Sequence, residues 1–319
     1  MTNVVVLLTL PEETRQRFAR FLGERFPVNV TVIDHHRKLA PLLAEADVLM
    51  SFGPPLGPDA DRLVGGAARL RWIQGLGAGL DNIIDLPSLR REVIVTSMHG
   101  IYGAAMSEAA FLAMLALTRD LPRSLRAQQR HAWERWTVKV MDGKSVGILG
   151  VGAIAAALAP RCKAFGMTVV GITAAPRPVP GFDRMEPRGE LRAVVPELDY
   201  LVLLTPYSAA THHIVDAAVL AAMKPSAFLI NLARGGIVDE TALQAALAER
   251  RIGGAMLDVF AAEPLPPAHP FWGLDNLIIT PHIAGFNETY FDKAFPIIET
   301  NLRHFLAGDI AGMINRVPR

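Results

Sequence analysis

Short apolar runs separated by amphipathic stretches recur along almost the whole chain. VVVLL (4–8), VNVTVI (28–33), DVLMSF (47–52), RWIQGL (71–76) and EVIVTS (92–97) are brief and rich in β-branched residues, which is the pattern of strands. Between the first two lies PEETRQRFARFLGER, where Pro11 suits a first helical turn and Glu12 and Glu13 suit the positive end of a helix. Strand and helix in alternation predict a parallel sheet with helices on both faces.

A second series begins at SVGILG (145–150) and continues through MTVVGIT, DYLVLLTP, AFLINLA, GAMLDVF and NLIITPH. Two series imply two sheets and two domains. The stretch joining them, AAMSEAAFLAMLALTRDLPRSLRAQQRHAWERW, predicts one long helix or two that meet near Pro122. The last piece, ETYFDKAFPIIETNLRHFLAGD, is helical and amphipathic but has no sheet of its own, so it is expected to pack back on the first domain.

Chemistry enters at SVGILGVGAIAAALA. Gly150, Gly152 and Ala155 fit G-x-G-x-x-A where an apolar strand ends and an alanine-rich helix begins. The first glycine permits the tight turn, the second lets a pyrophosphate approach the backbone, and the third position needs only a small residue. Helix-start N–H groups, here around Ala153 and Ile154, then face the phosphates. Pro160 falls inside this helix and is expected to kink or shorten it.

Composition narrows the class. The chain has 319 residues, 51% hydrophobic and 20% charged, with a formal net charge of +1, as ordinary globular proteins do. That balance gives no electrostatic reason to expect nucleic acid or a membrane as partner. Cys162 is the single cysteine, so an intrachain disulfide framework and a thiolate zinc site are both excluded and a cytoplasmic location is expected. The opening MTNVVVLLTLPEE is too short in its apolar run for a signal peptide.

Three later segments, FLINLARGGIVDETALQAAL, GAMLDVFAAEPLP and NLIITPHIAG, resemble in content and order the D-isomer-specific 2-hydroxyacid dehydrogenases. QGLGAGLDNI, DGKSVGILGVGAIA and LLTPYSAATHHIVD extend the resemblance over nearly the whole chain. The resemblance implies two Rossmann-like, doubly wound parallel-sheet domains. A cofactor domain (99–285) would be inserted into a flavodoxin-like substrate domain (1–98 plus 286–319). It also implies a homodimer built through the helical region after residue 104, and reduction of a small 2-oxo acid such as glyoxylate or hydroxypyruvate.

The family's catalytic positions match Arg234 in LARGG, Glu263 in AAEPL and His282 in TPHIAG. Taken singly, each has an ordinary structural reading: a helix cap, a solvated loop acid, a core histidine. Together they answer a chemical need. A planar guanidinium binds a carboxylate, a histidine gives or takes the proton at the carbonyl oxygen, and a neighbouring carboxylate raises that histidine's basicity. By the same resemblance, backbone N–H groups of Gly77, Ala78 and Gly79 would hold the substrate carboxylate beside Arg234 and His282. Thr205, Pro206, Ala233, Asp258 and Gly285 would line the cofactor, with Asp258 facing the nicotinamide amide. His212 and His213 lack acidic or cysteine partners at metal spacing, and His35 to Lys38 form a basic turn, so neither is expected to bind a ligand. Trp133 and Trp136 are expected in the core or the dimer interface; His99 and Tyr102 either narrow the pocket or reshape the hinge, and the hinge role is the expected one.

An acid about 20 residues beyond the glycine turn ordinarily bonds the ribose hydroxyls and repels a 2′-phosphate. Thr173 occupies that place in GITAAPRPVP, with Arg177 close behind, so the expected cofactor is NADP(H) in preference to NAD(H). The same resemblance leaves two alternative readings open: a dinucleotide-sensing corepressor-like binding protein on this fold, and a dehydrogenase of phosphonates or bulkier 2-keto acids. Formate dehydrogenases also share the fold, but lack the Glu–His pairing.

Overall fold

In the computed structural model, which describes residues 1–318, the chain divides into two compact units, Met1–Ile101 with the chain from Glu288 onward, and Tyr102–Asn287. The first unit is built on five parallel strands, β1 (Thr2–Leu7), β2 (Val28–Ile33), β3 (Val48–Ser51), β4 (Trp72–Gly75) and β5 (Ile94–Thr96), in the order β2-β1-β3-β4-β5. Helices α1 (Glu12–Arg25), α2 (Leu39–Leu43) and α3 (Ala60–Gly65) connect the first four. Every residue of β3 and β4 is buried, whereas edge strand β2 is buried only at its ends and partly exposed between. That contrast follows from position: central strands of a parallel sheet are covered on both faces.

In the second unit α4 (Gly103–Thr118) and α5 (Leu121–Gln129) precede the sheet. Pro122 stands in the first turn of α5, so the linking stretch is two helices, and residues 130–136, expected to be helical, are not. Trp133 in that segment is 93% exposed in the single chain, which corrects a core placement. The strands are β6 (Ser145–Leu149), β7 (Thr168–Thr173), β8 (Arg184–Pro187), β9 (Tyr200–Leu203), β10 (Phe228–Asn231), β11 (Gly254–Leu257) and β12 (Leu277–Ile279). Their order is β12-β11-β10-β9-β6-β7-β8, all parallel. Strand β8 escapes the apolar pattern because RMEP is a partly exposed edge. Helices α6 (Ala153–Ala164), α7 (Leu191–Val194), α8 (Ala217–Ala222) and α9 (Glu240–Ala248) cover the sheet, and α6 runs unbroken through Pro160.

The chain enters this sheet at β6, winds outward to β8, then returns to β9 on the other side of β6. The order reverses between β6 and β9, and ligands of such sheets bind at the carboxyl ends of the strands at such a point.

The C-terminal helix α10 (Tyr290–Ala307) belongs to the first unit, as its lack of a sheet implied. Phe295 stacks on Phe21 of α1 at 3.9 Å, and Phe291 and Phe295 meet Phe18 edge-on. A buried polar chain fixes the rest. Trp72 Nε1 donates to Thr96 Oγ1 (2.8 Å), Thr96 donates to Gln74 Oε1 (2.8 Å), and Asn301 Nδ2 donates to the same oxygen (3.0 Å). Such groups are tolerated in a core because each has a partner.

Candidate active site

In the second unit, nearly all the candidate residues sit just beyond strand ends. Gly150 follows β6, Thr173 closes β7, Thr205 lies beyond β9, Ala233 and Arg234 follow β10, Asp258 follows β11 and His282 follows β12. Residues scattered between positions 150 and 282 of the sequence thus share one edge of one sheet.

The turn after β6 has the shape a dinucleotide phosphate needs. Gly150 has φ +100°, and a Cβ there would lie 2.5 Å from the backbone nitrogen of Thr205, so only glycine fits. Above Gly152 a Cβ would meet nothing within 4 Å, and no side chain caps α6, which begins at Ala153 and Ile154. An open approach to helix N–H groups left uncapped by any side chain fits a pyrophosphate. Thr173 is half-buried at the end of β7 and Arg177 is exposed in the loop beyond it, between Pro176 and Pro178.

Arg234 is held by a residue that the motif reading passed over. Asn231, the buried last residue of β10, accepts from Ala233 N–H (3.0 Å) and donates to the Arg234 carbonyl (2.9 Å), bracing the turn from beneath. Its signal in the sequence is a lone polar residue closing the apolar run FLIN. Gly235 comes so close to Phe260 that a Cβ would lie 1.9 Å from that carbonyl carbon. The Arg234 turn is thereby pressed against the segment that leads to Glu263.

Glu263 uses both carboxylate oxygens: Oε1 accepts from Phe260 N–H (2.9 Å) and Oε2 contacts His282 Nδ1 (2.7 Å). Burial alone would raise its pKa, but the bonds from His282 and Phe260 outweigh this and hold it below the ordinary value. The pKa of His282 moves the other way. The Glu263 bond raises it, against burial and the charge of Arg234. An ionised carboxylate only accepts, so Nδ1 donates to Glu263 and Nε2 is left for proton exchange.

His282 has φ +53°, a left-handed conformation that costs a non-glycine residue about 1 kcal/mol or more. Asp258 offsets that strain. Its carbonyl accepts from His282 N–H (2.8 Å), and its buried carboxylate accepts from Thr280 Oγ1 (2.6 Å), Ile283 N–H (3.0 Å) and Ala284 N–H (3.0 Å). Asp258 therefore shapes the turn that aims His282, and Thr280, which motif reading also missed, is part of the same network. Gly285 lies beyond this turn, packed close to the ring of Tyr102.

The remaining candidates divide cleanly. In the first unit, Gly77, Ala78 and Gly79 follow β4. Ala78 and Gly79 are exposed, while the base of the loop is pinned by Tyr290 Oη donating to the Leu76 carbonyl (2.6 Å) and Met98 N–H to the Gly77 carbonyl (2.9 Å). His212 and His213 stack at 3.9 Å, and among the described residues no cluster of three or more His, Cys, Asp or Glu could hold a metal. Cys162 is buried in the core, and that burial pushes its thiol up to about 12, so it is an inert apolar group.

A five-stranded and a seven-stranded parallel sheet, with Arg234, Glu263 and His282 in the loops at the carboxyl edge of the larger, are the architecture of the doubly wound, dinucleotide-binding class. Residues 111–284 match the family described as D-isomer specific 2-hydroxyacid dehydrogenase, NAD binding domain, and the chain belongs to that family. Among its relatives, the D-3-phosphoglycerate dehydrogenase of Methanocaldococcus jannaschii is 32% identical over 255 residues, 79% of this chain and 48% of that protein. The chain thus spans about half the length of that relative. A glyoxylate reductase of Korarchaeum cryptofilum is 31% identical over 250 residues, covering 76% of this chain and 75% of that one. Two solved structures are similar over almost the whole chain. A D-isomer specific 2-hydroxyacid dehydrogenase family protein from Aeromonas salmonicida has a TM-score of 0.86 at 30% identity, covering 99% of both chains. The NADPH-dependent glyoxylate/hydroxypyruvate reductase of Sinorhizobium meliloti, in complex with NADP and sulfate, has a TM-score of 0.84 at 26% identity, covering 99% of this chain and 98% of that one.

Proposed function

We propose that this enzyme reduces a small 2-oxo acid of the glyoxylate or hydroxypyruvate type to the corresponding D- or achiral 2-hydroxy acid, with NADP(H) preferred over NAD(H). The observation that carries this reading is the 2.7 Å contact of Glu263 with His282 on a turn that Asp258 builds. That contact supports a histidine kept protonated for delivery to an alkoxide.

The nicotinamide dinucleotide, held at Gly150, Gly152 and the start of α6 and flanked by Thr205, Pro206 and Ala233, supplies the hydride when bound. Arg234 binds the substrate carboxylate bidentately. As the carbonyl carbon gains two electrons, its oxygen takes the proton from His282 Nε2, and Glu263 stabilises the imidazolium until then. Oxidation runs the same path backward, with neutral His282 as base.

The absence of a carboxylate at Thr173, Ala174 or Ala175 supports the cofactor preference, because nothing there repels a 2′-phosphate and Arg177 is free to approach one. Leu112, Leu121, Leu125, Trp133 and Val140 are all more than 40% exposed in the single chain, which supports a homodimer formed through this segment. Among the described residues no helix is long and apolar enough to cross a membrane. The single cysteine, Cys162, supports a reducing, cytoplasmic location.

Initial rates with glyoxylate and hydroxypyruvate, NADPH beside NADH, test the reading. A higher kcat/KM with NADPH is expected. A preference for NADH would remove the phosphate site and keep the reductase. Absence of turnover in protein that binds the dinucleotide would favour a sensor.

A further inference from the structure

Tyr207 stands two residues beyond Thr205 in the loop after β9. Its ring is 44% exposed yet firmly held. The hydroxyl lies 3.0 Å from His212 Nδ1, and the two rings meet edge-on with centroids 5.9 Å apart. His212 stacks on His213, whose N–H donates to the Gly236 carbonyl at 2.9 Å, and Val215 N–H donates to the Ile237 carbonyl at 3.1 Å. The ring of Tyr207 itself lies against Gly236: a Cβ there would come within 2.7 Å of Cε2.

These contacts converge on the turn that carries Arg234. Asn231 braces that turn at Ala233 and Arg234, and Gly235 is pressed against the Phe260–Ala261 backbone. Tyr207 and the histidine pair close it at Gly236. A guanidinium that must meet a carboxylate with two parallel bonds needs its backbone fixed to within a fraction of an ångström. A large aromatic ring on an otherwise small Gly–Gly turn supplies such a stop, and the His212 bond keeps the ring from swinging into solvent.

We propose that Tyr207, latched by His212, is a positioning residue for Arg234 and thereby sets the affinity for the carboxylate of the 2-oxo acid. This rests on the reading of Arg234 given under the proposed function. A carboxylate grip present in both ground and transition states shows itself in KM and not in kcat. Tyr207→Ala is therefore expected to raise KM for the oxo acid roughly tenfold, the scale of one weakened charge-assisted hydrogen bond, while kcat and KM for the dinucleotide stay within about twofold. Tyr207→Phe keeps the ring on Gly236 and should fall between. Gly236→Ala pushes the ring off its seat and should raise the same KM, yet add nothing in the Tyr207→Ala background.

Amide hydrogen exchange across residues 233–238 of the unliganded protein gives a second readout that needs no turnover. Tyr207→Ala should speed exchange there about tenfold and leave β10 unchanged. An inactive wild-type protein would defeat the proposed reaction, and exchange would then decide the clasp by itself. Unchanged exchange in Tyr207→Ala, an equal rise in both KM values, or additive effects with Gly236→Ala would each overturn the proposal.

Discussion

Replacing Glu263 by Gln keeps the side chain's shape and an acceptor oxygen but removes the charge that holds His282 protonated. The contact is short, 2.7 Å, and a hydrogen bond of this charge-assisted kind contributes ~1.5–3 kcal/mol. The two side chains retain 43% and 31% of their exposure, so solvent screening places the loss near the lower end, about 1.5 kcal/mol. That corresponds to roughly a tenfold fall in kcat/KM. The direction with pH is fixed by the shifts. His282 has its pKa raised chiefly by Glu263, so the wild-type enzyme keeps its proton donor to higher pH than an isolated histidine would. In Glu263→Gln the alkaline fall of kcat/KM for oxo-acid reduction should begin at lower pH. The assay is the NADPH-dependent reduction of glyoxylate from about pH 5 to about pH 9, followed by absorbance loss. An alkaline limb at the same pH in both proteins, with kcat/KM unchanged, would refute the claim that Glu263 tunes His282.

Four further outcomes follow from the same geometry. His282→Ala should lower kcat by about 10²–10⁴ while the dinucleotide still binds, as read by stopped-flow and fluorescence titration. Thr173→Asp should move the ratio of kcat/KM values toward NADH, and an unchanged ratio would count against that site. Asp258→Ala removes a buried carboxylate with three donors and leaves them unpaired, so denaturant unfolding should show a loss of about 3 kcal/mol or more. The Glu263–His282 pair also ties stability to pH. The raised His282 contributes fully below its ordinary value of 6.5 and loses that as pH rises through its folded value; the lowered Glu263 contributes fully above its ordinary 4.5 and loses that as pH falls through its own. The difference in Tm between wild type and Glu263→Gln should therefore be greatest between pH 4.5 and 6.5.

The strands most fully enclosed were the most legible. VLMS and WIQG are buried at every position, so their apolar runs mark them without help from the rest of the chain. Strand β8 was not legible, because an edge strand of Arg, Met, Glu and Pro carries no such mark. Residues 130–136 show the opposite failure. Their Ala, Arg and Glu content suits a helix, but α5 ends at Gln129 and the chain beyond it does not continue the helix. In the candidate site, Arg234, Glu263 and His282 stood out by motif, while Asn231, Thr280 and Tyr207 did not, since each works by bonding backbone or a neighbour.

By itself the sequence determined the alternation of strand and helix, the glycine turn before α6, the lack of a carboxylate near Thr173 and the set of groups able to do acid–base chemistry. These are local properties, written in side-chain pattern and residue type. Tertiary structure alone decided that the ends of β6, β7, β9, β10, β11 and β12 form one edge, and that Glu263 reaches His282 across 19 residues. It also decided that Asp258 turns its carboxylate into the His282 loop instead of leaving it outward. The reason is physical: sheet order and loop packing are set by the burial of whole faces, a sum over many distant residues that no single motif contains.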